Sequence, residues 1–368
     1  MDFSPATIAV VAIPMLALLC RCLLPSQARS MRLPPFAMAK SAWPPPTAPH
    51  TKDCRTPPPL RIGSYNIQVD HDRDAGTERE WRYRRPLAAK AVMHLDCDLL
   101  LIQEPGPGMA DDLAADLGPA FCVRTTPCDP ERWASADVKV GQAYDGNGFI
   151  WRASRLELLG DLRTIWLSTT PERPSKGSPA AWDSSAFCRT CVEARFKCLR
   201  TGRTLHALSS HLDHQGKVAR VESARLVMVR AAEAARADSA VLVVVGGDFN
   251  TFPEPEAHGP QTYAALATSA QEAGMVDVRA AATAHLDLGA GEDSWKGWPG
   301  AKYARAENRA NFPHPVPGQN ASRFDQMFVQ RGADIRWTGV VEEAAWAAAS
   351  DHVPIVAEIG LQGLTPCS

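Results

Sequence analysis

The sequence lacks a large excess of positive charge. Its 39 lysines and arginines are balanced by 41 aspartates and glutamates, so the formal net charge of the 368 residues is −2. Proteins that bind long nucleic acids draw much of their affinity from a strong positive field. The charge balance therefore argues against duplex DNA or long RNA as a substrate, although it leaves a local basic patch open.

The N-terminal segment lacks the basic residues that precede the apolar core of a secretory signal. Residues 6–19 are almost wholly apolar, but the nearest arginines all follow this run. The run is also shorter than the ~20 residues that a membrane-spanning helix needs. Ser26-Gln27-Ala28 would suit a signal peptidase. Two interpretations stay open: a signal or anchor, with a secreted or membrane-anchored protein, and a true start at Met31, with an intracellular one.

A zinc-type cysteine pattern, an internal repeat and a coiled-coil heptad are also missing. Cys188 and Cys191 form one C-x-x-C, with no second pair at the spacing of a zinc site. We therefore expect several of the ten cysteines to be small core residues. Spacing does not determine whether any of them pair as disulfides. Nothing in the sequence identifies a protein partner or an oligomeric state.

Proline separates an N-terminal segment from the rest of the chain. Residues 31–59 contain repeated prolines, including three in a row at 57–59, and are predicted to be an extended linker. Strand-like apolar runs alternate with amphipathic stretches from Leu60 onward. We therefore predict an apolar segment and linker over residues 1–59, one folded domain over 60–361 and a tail over 362–368.

Strands outnumber helices in this domain. The pattern predicts an α+β fold with four layers, α/β/β/α, in which two mostly antiparallel sheets pack together and helices cover their outer faces. Residues 149–152 and 156–166 are predicted to pair as a hairpin, and residues 283–319 to form a long irregular region. Residues 217–236 are predicted to be the longest helix. Its buried side chains are expected to be Val218, Val221, Leu226 and Val229.

The most informative stretch of the chain is Gly246-Gly247-Asp248-Phe249-Asn250. It follows A-V-L-V-V-V at 240–245, which is typical of a strand buried on both faces. Asp248 and Asn250 are two residues apart, so in extended geometry they point the same way. A carboxylate and an amide at this position suit a divalent cation and a phosphate. Taken alone, the stretch is explained equally well as a polar turn.

Other polar residues share this context, because they lie at the ends of apolar strands, beside them or within them. Strand ends from two stacked sheets can converge at one rim, which is where ligand sites form. Each residue alone is explained by a turn or a cap, but their joint occurrence is not. The residues are Asn66, Glu104, His211, Asp325, Asp351 and His352.

The order of these motifs resembles the endonuclease/exonuclease/phosphatase superfamily of metal-dependent hydrolases, which have a DNase-I-like fold. The resemblance extends from about Leu60 to Leu361. Two positions depart from the family pattern: Phe324 and Gln326 stand where a small aliphatic residue and a tyrosine are usual. The motifs are S-Y-N-I at 64–67, I-Q-E at 102–104, S-S-H-L-D-H at 209–214, G-G-D-F-N at 246–250, S-R-F-D-Q-M-F-V at 322–329 and S-D-H-V-P-I-V-A-E at 350–358.

The resemblance implies a hydrolase of phosphoesters that depends on Mg²⁺, with Mn²⁺ as an alternative. Glu104 is the predicted metal ligand, Asp351 a candidate second carboxylate and Asn66 a candidate ligand through a water. We predict that Asp248 positions or deprotonates the attacking water and that Asn250 donates its amide to a phosphoryl oxygen.

The two histidines are predicted to flank the phosphate. His211 and His352 would donate hydrogen bonds to it or protonate the leaving oxygen, and Asp325 would orient His352. Three further residues are candidates for substrate binding. Asn147 and Arg189 resemble family positions near the phosphate, and Trp298 could stack on a ring or simply pack within its loop.

The substrate is left open by the sequence. A phosphomonoesterase, a phosphodiesterase and a nuclease all fit the motifs, and the near-neutral charge favours a small molecule or a short nucleic acid. Two alternatives remain: a catalytically silent binding module on the same fold, and a secreted or membrane-tethered lipid phosphodiesterase. The presence of Glu104, Asp248 and His352 argues against the silent module.

Residues 1–59 are expected to be dispensable for catalysis, because they carry none of the candidate catalytic groups. A protein that starts at Pro59 should fold and retain the hydrolytic rate of the full chain. Thermal unfolding and a rate assay on both forms check this. A truncated protein that is folded but inactive would show that the segment contributes to the site.

Overall fold

The computed structural model of the protein describes residues 58–134, 145–175, 182–183, 188–251, 260–288, 294–295 and 323–361. The N-terminal segment and the tail lie almost wholly outside these ranges, as does Trp298. The domain boundaries and the place of Trp298 therefore stay predictions. Among the described residues, no helix has both the length and the apolar character needed to cross a membrane.

The described part of the chain contains thirteen strands and six α-helices. The strands are β1 (Leu60–Asn66), β2 (Leu99–Gln103), β3 (Phe121–Pro127), β4 (Gly146–Arg152), β5 (Leu156–Trp166), β6 (Thr190–Cys198), β7 (Thr204–His211), β8 (Leu242–Asp248), β9 (Met275–Asp277), β10 (His285–Leu288), β11 (Asp325–Gln330), β12 (Asp334–Val341) and β13 (Ile355–Gly360). The helices are α1 (Trp81–Leu95), α2 (Met109–Leu117), α3 (Pro130–Trp133), α4 (Lys217–Ala237), α5 (Pro260–Glu272) and α6 (Val278–Ala281).

The strands form two mixed sheets. The first has the order β10-β12-β13-β1-β2-β4-β3, and the second has the order β5-β6-β7-β8-β11-β9. The pairs β1–β2, β7–β8 and β10–β12 are parallel, and the other paired neighbours are antiparallel. The predicted pair of mostly antiparallel sheets is therefore confirmed.

Alternating side chains give each central strand two apolar faces. In β2, Leu99 and Leu101 pack in the layer between the sheets, while Leu100 and Ile102 face the layer that contains α1 and α2. Full burial of such a side chain contributes roughly 1.5–3 kcal/mol, so both layers stabilise the strand. The continuous apolar run of β2 follows from this double burial.

The second sheet repeats this arrangement in β8. Leu242 and Val244 lie in the layer between the sheets, while Val243 and Val245 lie in a third layer with residues of α4 and α5. Three apolar layers therefore lie between four layers of secondary structure: outer helices, the first sheet, the second sheet and the helices on its outer face. This is the predicted four-layer α/β/β/α sandwich, and it places the polar ends of the central strands at one rim.

Two local predictions are wrong. Strands β4 and β5 do not pair as a hairpin, because β4 lies between β2 and β3 in the first sheet while β5 pairs with β6 in the second. The region from 283 onward is not wholly irregular, since β10 lies within it and pairs with β12. In both cases the pairing partner is distant in sequence, so short-range patterns do not reveal it.

The predicted buried face of α4 is wrong in part, because Leu226 packs against the third layer as predicted but two other residues do not. Val218 and Val229 are 45% and 51% exposed. The inner face contains small residues and a few larger side chains instead. The buried residues of α4 are Ala219, Arg220, Ser223, Ala224, Val227, Met228 and Ala231.

Replacing Gly247 by alanine should lower the free energy of unfolding by at least ~2 kcal/mol. Its φ is +154°, and an added Cβ would lie 1.8 Å from the Ser210 carbonyl oxygen on β7. Gly160→Ala is a matched control, because φ there is +79° and no atom lies within 4 Å of the added Cβ. Urea denaturation compares the two variants. Equal losses would show that the contact with Ser210 does not matter.

Candidate active site

Three of the predicted residues lie side by side in the second sheet. In the parallel pair β7–β8, His211 is opposite Asp248, and in the antiparallel pair β8–β11, Asp325 is opposite Asp248. The register therefore places a histidine and two carboxylates in one row. Asp248 occupies the centre of that row and is 2% exposed.

The first sheet contributes Asn66 and Glu104 to the same place. Asn66 ends β1 opposite Gln103 of β2, and Glu104 is the next residue. The φ of Glu104 is 63°, which turns the chain out of the strand direction. The Nδ2 group of Asn66 donates to Glu104 Oε1 at 2.9 Å and to Asp248 Oδ2 at 3.0 Å. One amide thus links the strand ends of both sheets.

Glu104 is held as a carboxylate by its surroundings. Burial raises its pKa, but the facing His211, the Asn66 amide and the Val69 N–H together outweigh that effect, and the net pKa lies well below the ordinary value. The Val69 N–H donates to Oε2 at 3.0 Å. Both carboxylate oxygens are therefore oriented by hydrogen bonds, and the group keeps its charge in mildly acidic solution.

The Asp248 carboxylate is oriented in the same way. The backbone N–H of Asn250 donates to Oδ1 at 2.9 Å, and Oδ2 receives the Asn66 amide. The Nε2 atoms of His211 and His352 lie 3.5 Å and 3.6 Å from Oδ2. This oxygen is the point at which the groups of both sheets meet.

His352 and Asp325 form the predicted pair. The Nδ1 atom of His352 lies 2.8 Å from Asp325 Oδ2, and both side chains are buried. Burial lowers the pKa of His352, but Asp325 and Asp248 raise it more strongly, to about 10. With Nδ1–H donated to Asp325, the imidazolium presents its Nε2–H toward Asp248.

Arg189 contacts His211 rather than open space. Its Nη1 lies 2.8 Å from His211 Nδ1 and donates to Asp145 Oδ2 at 3.0 Å, and its Nη2 lies 3.1 Å from His214 Nδ1. A guanidinium has no lone pair to offer, so this contact is a hydrogen bond only when His211 is neutral and its Nδ1 accepts. Whenever His211 is neutral, its proton is therefore on Nε2, the atom nearer Asp248.

The remaining predicted residues surround this centre. One N–H of the Asn250 amide donates to the Leu212 carbonyl at 3.0 Å. Asn147 donates from Nδ2 to both the carbonyl and the hydroxyl of Thr190, at 2.9 and 2.8 Å. Asp351 receives the Trp295 Nε1–H at 3.4 Å. The roles of Asn147 and Arg189 in substrate binding stay predictions.

One group of side chains within the described residues could hold a metal ion through histidine, cysteine or carboxylate atoms: Glu104, His211 and Asp248, whose ligand atoms lie within 4.8 Å of one another. Glu104 was predicted as a ligand, whereas Asp351 is not in this group. The Nδ1 lone pair of His211 is directed at Arg189, so the two carboxylates are the better ligands. Their hard oxygens match Mg²⁺ or Mn²⁺.

Sequence reasoning missed Asp145 and Ser350. Asp145 precedes β4 and contacts both Arg189 and His211 Nδ1, the latter at 3.4 Å. The Ser350 hydroxyl donates to the Asn66 carbonyl at 2.7 Å and accepts the His352 N–H at 3.2 Å. The position of Asp145 next to a strand at the rim is the same signal that identified the other residues.

The chain is similar to known proteins over most of its length. The profile of the Endonuclease/Exonuclease/phosphatase family matches residues 63–352. No curated protein matches the chain. Three similar solved structures are an endonuclease/exonuclease/phosphatase family protein from Bacteroides thetaiotaomicron, a mannosyl-6-phosphatase from the same species and the human Nocturnin catalytic domain with bound sulfate.

The similarity to these structures covers most of each chain. For the Bacteroides family protein the identity is 24%, the TM-score is 0.63, and the match covers 83% of this chain and 98% of that one. The corresponding values are 24%, 0.62, 82% and 99% for the mannosyl-6-phosphatase. They are 17%, 0.53, 82% and 93% for Nocturnin. At these identities the structures establish the shared fold.

Proposed function

Because this chain belongs to the endonuclease/exonuclease/phosphatase family, we propose that it is a divalent-metal-dependent hydrolase of small phosphoesters. The observation that carries the proposal is the convergence of Glu104, Asn66, Asp248 and the His352–Asp325 pair at one rim. A scaffold that had lost its chemistry would have no reason to keep two oriented carboxylates beside two imidazoles.

The donor set at the rim fits a hard cation. Glu104 and Asp248 would hold Mg²⁺, and Asp351 is a candidate third carboxylate. When bound, the cation would neutralise the charge that develops on the phosphoryl oxygens. Without any metal, Glu104 is already ionised, and hydrogen bonds from the protein already orient its two oxygens.

The protein groups then divide the work of hydrolysis. Asp248 Oδ2 would accept a hydrogen bond from the attacking water and orient it toward phosphorus. The Nε2–H groups of His352 and His211 would donate to phosphoryl oxygens, because Asp325 and Arg189 fix the hydrogen bonding at the opposite ring nitrogens. The second N–H of the Asn250 amide is a further donor to the phosphate.

A small substrate is favoured by charge. The formal net charge of −2 provides no overall field for a long polyanion. The proposed substrate class is therefore the phosphomonoesters and phosphodiesters of small molecules, and a short single-stranded nucleic acid is the limiting case. One fold relative is named a mannosyl-6-phosphatase, and a sugar phosphate belongs to the favoured class.

A substrate panel with a metal control tests the proposal. The purified chain is assayed on a sugar phosphate, a nucleotide, an inositol phosphate, a sphingolipid and a short single-stranded DNA, with Mg²⁺, with Mn²⁺ and with chelator. We expect hydrolysis of at least one water-soluble small phosphoester, lost with chelator and restored by metal. Activity confined to the sphingolipid would support the lipid phosphodiesterase alternative. No hydrolysis of any substrate with either metal would support the silent module.

A further inference from the structure

Arg84 is a fully buried arginine whose guanidinium is surrounded by backbone carbonyls. It lies on α1 and is 0% exposed. Its guanidinium donates to five carbonyl oxygens, and four of these lie in two segments next to the active site. The partners are Arg79 at 2.6 Å, Ile67 at 2.8 Å, Gln68 at 2.9 Å, Ala349 at 3.0 Å and Val69 at 3.3 Å.

The first segment, residues 67–69, follows β1 and orients two site residues. The Gln68 N–H donates to Asn66 Oδ1 at 2.9 Å and thereby directs the Nδ2 group of Asn66 at the carboxylates. The Val69 N–H donates to Glu104 Oε2. Gln68 has a φ of 53°, which a residue with a side chain rarely adopts. Its conformation therefore depends on support from outside the segment.

The second segment, residues 349–352, carries Asp351 and His352. Its Ser350 hydroxyl donates to the Asn66 carbonyl and accepts the His352 N–H. Arg84 Nη1 binds the carbonyl of Ala349 in this segment and the carbonyl of Ile67 in the other. One guanidinium therefore joins the segment that orients Glu104 to the segment that carries His352.

We propose that Arg84 is a positioning residue for the active site, which fixes the spacing of Glu104 and His352 by holding these two segments together. The proposal rests on the proposed function, since it assigns Arg84 to the same site. Arginine suits this task because its planar fork offers five N–H donors in fixed directions. A lysine keeps the charge but has three donors on one atom, so it cannot reach carbonyls on both segments in the same geometry.

The test compares Arg84→Lys with Arg61→Lys. Arg61 is 5% exposed, lies at the opposite end of β1, pairs with Asp96 and contacts the Trp337 ring, so it controls for the loss of any buried arginine. Three quantities are measured for both variants and the unaltered chain: amide exchange at Gln68 and Val69 in the metal-free protein, Mg²⁺ affinity by calorimetry, and kcat and KM for the hydrolysed substrate.

We expect Arg84→Lys to speed amide exchange at Gln68 and Val69 at least ~10-fold, to weaken Mg²⁺ binding ~10-fold and to lower kcat more than it changes KM. Arg61→Lys should lower the melting temperature and leave the other quantities unchanged. The exchange measurement needs neither metal nor substrate, so it tests Arg84 even if the protein hydrolyses nothing in the panel.

A second variant covers the case in which Arg84→Lys does not fold. Arg84→Ala is prepared with and without low millimolar guanidinium ion, and we expect guanidinium, but not ammonium, to restore Mg²⁺ binding. Unchanged exchange and Mg²⁺ affinity in a folded Arg84→Lys would overturn the proposal, as would equal losses in Arg61→Lys. If neither Arg84 variant folds even with guanidinium, Arg84 is a folding residue and the positioning role is wrong.

Discussion

Asp248→Asn and His352→Ala are each expected to lower kcat by at least ~10²-fold, with little change in KM. Asp248 Oδ2 is the point where groups of both sheets meet, and His352 presents its Nε2–H there. Each variant removes a group that acts on the water or the phosphate during reaction. Steady-state kinetics at saturating Mg²⁺ measure the effect, because Asp248 is also a candidate metal ligand. Asp161→Asn and His285→Ala, both at exposed positions, control for the substitutions themselves.

The role of Asp325 follows from the same measurements. If Asp325 acts only by orienting His352, the loss caused by Asp325→Asn should be largely contained in that of His352→Ala. The double variant would then resemble His352→Ala alone. Independent, multiplying losses in the double variant would mean that Asp325 contacts metal or substrate itself. A KM that rises while kcat stays constant would show that His352 serves binding and not the chemical step.

Glu104→Gln is expected to reduce Mg²⁺ affinity at least ~10-fold and to abolish most of the activity at low Mg²⁺. The substitution keeps the size of the side chain and removes its charge. Because neighbouring groups hold the pKa of Glu104 well below its ordinary value, the carboxylate is ionised throughout the range in which Mg²⁺ is titrated. Calorimetric titration without substrate measures the affinity directly.

The matched control for this prediction is Glu157→Gln, an exposed glutamate on β5. It should bind Mg²⁺ as the unaltered chain does. Mg²⁺ binding that survives in Glu104→Gln would remove Glu104 from the metal site and leave Asp248 and Asp351 as the carboxylates to test. Circular dichroism confirms that both variants are folded before they are titrated.

The sequence allowed the strands and their polar ends to be predicted because both depend on local composition. An apolar, β-branched run such as 240–245 favours a strand buried between two layers, and the polar residues that follow such a strand then lie at the sheet edge. The same argument located Glu104 after β2 and Asn66 at the end of β1. These positions follow from the order of residue types along the chain.

Features that depend on distant partners could not be predicted in this way. The separation of β4 and β5 into different sheets depends on pairings with β2 and β6, which short-range patterns do not encode. The inner face of α4 was misjudged because the size of an apolar residue does not by itself decide which side of the helix faces the sheet. Ala219 and Ala224 are buried there, and Val229 is exposed.

Arg84 shows what kind of signal was overlooked. It shares a helical face with Trp81, Ala88 and Leu95, which lie three, four and eleven residues from it, and all four are buried. A charged residue in an apolar helical stripe is costly to bury unless it has specific partners. Its position in the sequence was therefore a sign of a polar contact, although the identity of the carbonyls required the three-dimensional structure.

The active-site groups are divided between two sheets, and this gives the apolar layer beneath them a second role. Asn66 and Glu104 rise from one sheet, and Asp248 from the other, while side chains such as Leu101 and Val244 fill the space between. The thickness of this apolar layer sets the distance between the polar groups of the two sheets. Water, phosphate and metal must fit within that distance. Substitutions that widen or narrow it would alter turnover without touching a polar group.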